Sequence, residues 1–128
     1  MNKIIKSYWP AIIWSAIILI LLSIPGKDLP EETHFLNIPY FDKWVHFGIF
    51  AAFVWLWCRG IYRIITPSKN IRATYTLIAI AGTLLGYAME LVQKYWIPNR
   101  DYDLWDVVAD GLGCFTGLVF SLIIFRKK

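Results

Sequence analysis

The sequence predicts an all-α polytopic membrane protein: a bundle of four transmembrane helices with short loops and both termini in the cytoplasm. Of its 128 residues, 58% are hydrophobic and only 17% are charged, against about 25% charged in soluble proteins. Four segments of 15 to 20 residues contain no charged residue at all. A chain of this length forms one domain, and too little remains outside the apolar segments to build a soluble enzyme.

Each apolar segment predicts one helix, because about 20 largely apolar residues are needed to cross ~30 Å of hydrocarbon. Within a single domain spanning 1–128, the predicted helices cover residues 7–25, 43–64, 73–94 and 104–125. The connections contain prolines, which are typical of turns. Lysines ahead of the first helix also allow a signal peptide, but no small-residue cleavage site follows, which favours a retained helix.

The cations are unevenly divided between the two ends of the predicted bundle. Nine of the 13 Lys and Arg residues, and no acidic residue, fall at the end that carries both termini. Four cations and all nine acidic residues fall at the other end. Cytoplasmic loops carry the excess of Lys and Arg, so both termini are predicted to be cytoplasmic. This distribution explains the basic pI of 9.1, so the excess of cations does not indicate a nucleic-acid partner.

The fourth apolar segment is too short to cross a membrane without including acidic residues. Its 15 residues, Gly111 to Phe125, extend only ~22 Å as a helix, so the helix must begin near Asp106. Asp110 then lies one helical turn deeper. Ionisable residues at membrane depth are costly and are functional candidates by default.

The second apolar segment also has 15 residues, and two extensions are open. The helix begins near Tyr40, or it continues past Arg59 to Ile65 with the Arg59 side chain reaching back to the membrane surface. The first extension takes Asp42, Lys43 and His46 into the helix, and in the second His46 still marks its outer end.

Helical periodicity places the polar residues on narrow faces. At 100° per residue, the fourth helix carries one stripe formed by Asp103, Asp106, Asp110, Gly113 and Gly117. The third helix carries a similar stripe formed by Gly82, Gly86, Glu90 and Gln93. Because small residues let helices approach closely in a membrane, we expect the third and fourth helices to pack along these stripes.

The stripes predict a polar pocket in the outer half of the bundle. General acid and base roles are predicted for Asp42, His46, Glu90, Asp106 and Asp110. Substrate contacts are predicted for Lys43, Gln93, Arg100 and Asp103, of which the two cations suit phosphate or carboxylate. If the pocket holds a divalent cation such as Mg²⁺, Mn²⁺ or Zn²⁺, its predicted ligands are His46, Glu90, Asp106 and Asp110. Their spacing matches no recognised metal motif.

Each feature also has a purely structural interpretation. Glycines four residues apart are common packing positions, and Asp103 is suited to the first turn of the fourth helix. Asp42 and Lys43 also fit an ordinary interfacial pair. Asp106 and Asp110 indicate function most strongly, because a structural bundle has no need of two carboxylates one turn apart in lipid.

Three blocks of the sequence, taken in order, resemble the VanZ-like family, named after a protein linked to teicoplanin resistance. The blocks are Asp42-Lys43-Trp44-Val45-His46-Phe47, Glu90-x-x-Gln93 and Arg100-x-x-Asp103-x-x-Asp106-x-x-x-Asp110-x-x-Gly113-x-x-x-Gly117. The resemblance implies a small helical membrane protein of the bacterial envelope. The family positions that it matches are Asp42, Lys43, His46, Glu90, Gln93, Arg100, Asp106 and Gly113. Many family members have Asn where this chain has Asp110.

The resemblance implies no particular reaction, so three functions remain open. In the first, the pocket binds or processes a lipid-linked cell-wall intermediate or a glycopeptide antibiotic at the outer face of the bacterial cytoplasmic membrane. That activity would contribute to envelope maintenance or antibiotic resistance, with or without catalysis. The second function is proton- or cation-coupled transport. In the third, the protein is a structural membrane subunit whose polar cluster fastens helices together.

Overall fold

The described residues of the computed structural model, 3–23, 41–64, 70–96 and 104–125, form four helices. The side chains of residues 41 and 42 are outside this description. The helices are α1 (Lys3–Leu22), α2 (Phe41–Ile64), α3 (Ile71–Trp96) and α4 (Leu104–Ile124). Each is long and apolar enough to cross a membrane, so the predicted helical class and the four spans of suitable length are confirmed.

The helix boundaries differ from the predicted ones by a few residues. α1 begins at Lys3 rather than at residue 7, because lysine is a good helix former and does not interrupt the helix. α2 adopts both of the extensions left open, since it begins at Phe41 and continues past Arg59 to Ile64. α3 is two residues longer at each end than predicted. The predicted end of the first helix at residue 25 lies outside the described residues.

α2 is the central helix of the bundle and contacts each of the other three. Its most extensive contact is with α4, whereas α1 packs mainly against α2. Phe50, Val54 and Cys58 of α2 and Tyr75 of α3 are fully buried in the apolar core. The hydroxyl of Tyr75 donates a hydrogen bond of 2.9 Å to the backbone carbonyl of Phe125, which ties the beginning of α3 to the end of α4.

The glycine stripe of α4 packs against α2, and not against α3 as predicted. A Cβ atom at Gly113 would collide with the backbone carbonyl of Phe47, and a Cβ at Gly117 would lie 2.5 Å from that of Ala51. The prediction was half right, because Gly86 of α3 does lie against a side chain of α4. Periodicity identified the small face of α4, but it did not identify the helix that this face meets.

The distribution of polarity is opposite to that of a soluble protein. Large apolar side chains such as Leu77, Leu84 and Phe115 are exposed, while Glu90 and Asp110 are completely or almost completely buried. Exposed apolar surface of this kind is a contact surface for lipid or for another protein. It surrounds an interior that contains several charged groups.

Candidate functional site

Three helices bring four ionisable side chains together near one end of the bundle. They are His46 from α2, Glu90 from α3, and Asp106 and Asp110 from α4, and none is more than 7% exposed. We refer to these four residues as the buried cluster. Its members come from segments far apart in the chain, so the cluster exists only through the packing of the three helices.

The imidazole of His46 is held between the two aspartates of α4. Its Nδ1 lies 2.7 Å from Oδ1 of Asp110, a hydrogen bond, and its Nε2 lies 3.7 Å from Oδ2 of Asp106. The second distance is too long for a direct hydrogen bond. Because the bond to Asp110 fixes the ring, Nε2 is directed towards Asp106. An imidazole oriented in this way can accept or donate a proton at Nε2.

Lys43 connects the buried cluster to the surface of the protein. Its Nζ lies 3.0 Å from Oδ1 of Asp106, and its side chain is 22% exposed. The carboxylate of Asp106 therefore has one oxygen near the lysine and the other facing His46. Lys43 and His46 lie three residues apart on α2, which places them on the same face of that helix.

Glu90 completes the buried cluster from α3. One of its carboxylate oxygens, a ring nitrogen of His46 and a carboxylate oxygen of Asp106 all lie within 4.8 Å of one another. Gly86, one turn earlier on α3, makes room for this arrangement, because the Asp110 side chain occupies the space where a Cβ would stand. The glycine thus allows α4 to bring its carboxylates close to Glu90.

Gln93 is fully buried, and it bonds to a helix end. Its Nε2 donates a hydrogen bond of 2.8 Å to the backbone carbonyl of Leu22, the last residue of α1. A helix leaves its last four carbonyls without partners inside the helix, and this bond supplies one of them. The amide therefore has a structural partner, and the predicted contact of Gln93 with a substrate stays a prediction.

Two buried carboxylate oxygens of the buried cluster accept no hydrogen bond from the described residues. They are Oδ1 of Asp106, which makes the ion pair with Lys43, and Oδ2 of Asp110. Buried carboxylate oxygens are normally hydrogen-bonded, and leaving one without a donor is costly. The buried cluster is therefore suited to a cation or to a ligand that donates hydrogen bonds.

Three of the residues predicted to form the site have side chains outside the described part of the chain. Arg100 and Asp103 lie outside the described residues. Asp42 belongs to α2, but its side chain is outside the description as well. Their predicted roles, the acid–base role of Asp42 and the substrate contacts of Arg100 and Asp103, stay predictions.

An apolar groove of about 640 Å³ lies between α2 and α4, beside Lys43. Its lining consists of Lys43, Trp44, Phe47, Trp105, Val108, Ala109 and Leu112. We call it the α2–α4 groove. The sequence did not predict it, because apolar residues in an apolar helix give no distinctive pattern. Its volume falls within the ~300–1,000 Å³ that is usual for ligand pockets.

Among known proteins, the chain is similar to an uncharacterized protein of Schizosaccharomyces pombe. The two are 30% identical over 95 residues, which cover 73% of this chain and 54% of the yeast protein. The chain thus spans about half the length of this relative. No protein-family model matches the sequence, and no solved structure matches it.

Proposed function

We propose that the protein is a VanZ-like multi-pass membrane protein that binds an amphiphilic envelope molecule. The polar head of this ligand binds at the buried cluster, and its apolar part lies in the α2–α4 groove. The observation that carries the proposal is the position of Lys43, which lines the groove and forms an ion pair with Asp106 of the cluster. One side chain thereby joins an apolar surface to a polar one.

Insertion into a membrane is supported by the exposed apolar surface that surrounds a charged interior. Lys3, Lys6 and Arg63 line a basic pocket at the end of the bundle opposite the buried cluster. We place this basic end in the cytoplasm, in keeping with the positive-inside rule. Both termini are then cytoplasmic and the buried cluster opens towards the outer face. The resemblance to VanZ-like proteins supports a bacterial cytoplasmic membrane as the location.

A lipid-linked cell-wall intermediate consists of a hydrocarbon chain, a phosphate and a polar head, in that order. The α2–α4 groove, Lys43 and the buried cluster follow one another in the same order. Its hydrocarbon chain matches the apolar α2–α4 groove, and its phosphate matches the ammonium group of Lys43, which has three N–H donors. Its sugar hydroxyls and peptide N–H groups can donate to Oδ1 of Asp106 and Oδ2 of Asp110, which accept no hydrogen bond from the described residues. A glycopeptide antibiotic shares the donor-rich part of this chemistry, and either ligand would connect the protein to envelope maintenance or resistance.

Transport of protons or cations has weaker support. Among the described residues, the buried carboxylates and the buried imidazole all lie in the buried cluster, at one end of the bundle. A relay across the membrane needs ionisable groups along its whole length. Proton uptake by proteoliposomes that contain the protein is the measurement that would favour this alternative.

Native mass spectrometry of the protein in nanodiscs, with a polyprenyl diphosphate-linked sugar as the probe, tests the proposal. Leu112→Trp fills the α2–α4 groove and is expected to abolish binding of the probe. Leu84→Trp is the matched control, since Leu84 is 63% exposed and Leu112 55% exposed, but Leu84 lies outside the groove. Equal binding by the two variants, or no binding by the wild type, would rule the proposal out.

Two conservative substitutions separate ligand binding from a structural role of the buried cluster. Asp106→Asn and Glu90→Gln are expected to weaken binding of the probe while the melting temperature stays close to that of the wild type. If both variants instead aggregate or melt much earlier in detergent, the buried cluster serves to fasten the helices together.

A further inference from the structure

The buried cluster has the donor set of a metal site. One ligand atom from each of His46, Glu90 and Asp106 lies within 4.8 Å of the other two, and each residue comes from a different helix. We propose that these three residues bind a first-row divalent cation, Zn²⁺ or Mn²⁺. Whether the site binds a cation does not depend on the proposed function. A role of that cation in binding the envelope molecule does rest on the proposed function.

The three ligand atoms must move closer together to bind one ion. Zn–N and Zn–O bonds are roughly 2.0–2.2 Å and the geometry is tetrahedral, so the ligand atoms of one Zn²⁺ are ~3.3–3.6 Å apart. The observed atoms lie within 4.8 Å of one another, which leaves a difference of about 1 Å. Rotation about the side-chain bonds of Glu90 and Asp106 moves their carboxylate oxygens by distances of this order.

Asp110 occupies the position of a partner that orients a metal-binding histidine. A histidine that binds a metal through one ring nitrogen almost always donates its other N–H to a carboxylate, a carbonyl or water. Here Nδ1 of His46 lies 2.7 Å from Asp110, which leaves Nε2 as the ligand atom. Asp110 was one of the four ligands predicted from the sequence; in the proposed site it positions His46, and its role as a ligand stays a prediction.

The charge of the buried cluster also favours a cation. Glu90, Asp106 and Asp110 carry three carboxylates, and Lys43 is the one lysine shown in an ion pair with them among the described residues. With a neutral imidazole, the three carboxylates and Lys43 carry a formal charge of about −2, and gathering negative charge in the interior is costly. A divalent ion balances this charge, as would the uptake of two protons.

The types of ligand atom distinguish between cations. Mg²⁺ and Ca²⁺ prefer sites made of oxygen atoms alone. A site with one imidazole nitrogen and two carboxylates suits Zn²⁺ and Mn²⁺. Oδ2 of Asp110, a buried oxygen that accepts no hydrogen bond from the described residues, indicates a region that a positive charge would stabilise.

The test is the metal content of the full chain in nanodiscs, stripped with a chelator and then equilibrated with Zn²⁺ or Mn²⁺ alone. The wild type is expected to retain about one ion per chain, measured by plasma mass spectrometry. His46→Gln, Glu90→Gln and Asp106→Asn are expected to lose the ion. Asp110→Asn is expected to weaken affinity by about 10–100-fold, as second-shell changes do. Ser121→Ala is the control, because Ser121 is a buried polar residue of α4 outside the buried cluster.

A wild type that retains no ion, or a Glu90→Gln variant that retains as much as Ser121→Ala, would overturn the inference. Electron paramagnetic resonance of Mn²⁺ bound to the wild type tests the site without a substitution that could disturb folding. Nitrogen hyperfine coupling from His46 is expected, and its absence would contradict the site. The two proposals fail separately: a chain that binds the lipid-linked probe without any metal retains the proposed function. A chain that binds the metal but not the probe retains the metal site.

Discussion

Oδ1 of Asp110 lies 2.7 Å from Nδ1 of His46, and this hydrogen bond joins α4 to α2 in the interior of the bundle. The bond requires an acceptor at position 110 but does not require a negative charge, because the side-chain oxygen of asparagine can accept the same N–H. An asparagine at position 110 is therefore compatible with the geometry. The carboxylate adds charge to an arrangement that an amide can also support.

Replacement of Asp110 is expected to have graded effects on stability. Asp110→Asn keeps the acceptor, so its free energy of unfolding should stay close to that of the wild type. Asp110→Ala leaves the buried ring of His46 without this partner and should cost about 1–3 kcal/mol. Chemical unfolding in detergent micelles measures both values. Equal stability of the Ala and Asn variants would show that the hydrogen bond does not stabilise the fold.

The ion pair between Lys43 and Asp106 is expected to appear as coupling in a double-mutant cycle. Their charged atoms lie 3.0 Å apart, and the carboxylate is mostly buried, so removing either partner should weaken the same interaction. The effects of Lys43→Met and Asp106→Asn on unfolding should therefore be non-additive by about 1 kcal/mol. Strict additivity in the double variant would mean that the two side chains do not interact in the membrane-like environment.

The glycines of α4 provide a test of the contact between α2 and α4. Gly113→Ala and Gly117→Ala place a methyl group against the backbone of α2, and each should cost about 1–3 kcal/mol, as overpacking does.

Gly111→Ala is the control on the same helix, because its Cβ would lie 3.7 Å from Thr83, an ordinary contact. Alanine favours a helix over glycine by up to about 1 kcal/mol, so this variant should be at least as stable as the wild type. If all three alanine variants unfold alike, the close approach of α2 and α4 is wrong.

The two cysteines are expected to resist labelling in the folded protein. Cys58 and Cys114 are free thiols with at most 1% exposure. A maleimide reagent should label neither quickly in mild detergent and should label both in sodium dodecyl sulfate. Trp96→Cys provides an accessible reference, since Trp96 is 73% exposed near the end of α3. Native labelling at the rate of that reference site would contradict the burial of these thiols inside the bundle.

The helices could be predicted because a membrane span is defined by length and composition, both of which are local properties of the sequence. The same local properties do not define the first and last residues of each helix. Lys3 at the start of α1 and Trp96 at the end of α3 are compatible with helix and with loop alike. The apolar pattern that identifies the spans carries no information about such exposed residues, so it does not fix where the helices begin and end.

The buried cluster was partly predictable because periodicity placed Glu90, Asp106 and Asp110 on the interior faces of their helices. The structure confirms that these faces meet His46. Periodicity does not reveal which neighbouring helix a face contacts, and the predicted partner for Gly113 and Gly117 was therefore wrong. The α2–α4 groove depends on the space between two packed helices, so no local pattern could indicate it.

The separation of 64 positions between His46 and Asp110 has a consequence for the order of events during biosynthesis. α2 leaves the ribosome well before α4, so the imidazole is made without either of its aspartate neighbours. A nascent chain that stalls after α3 holds His46 and Glu90 but neither Asp106 nor Asp110. The buried cluster is complete only after α4 has been synthesised and has packed against α2 and α3. Translation products that end before α4 therefore lack the site.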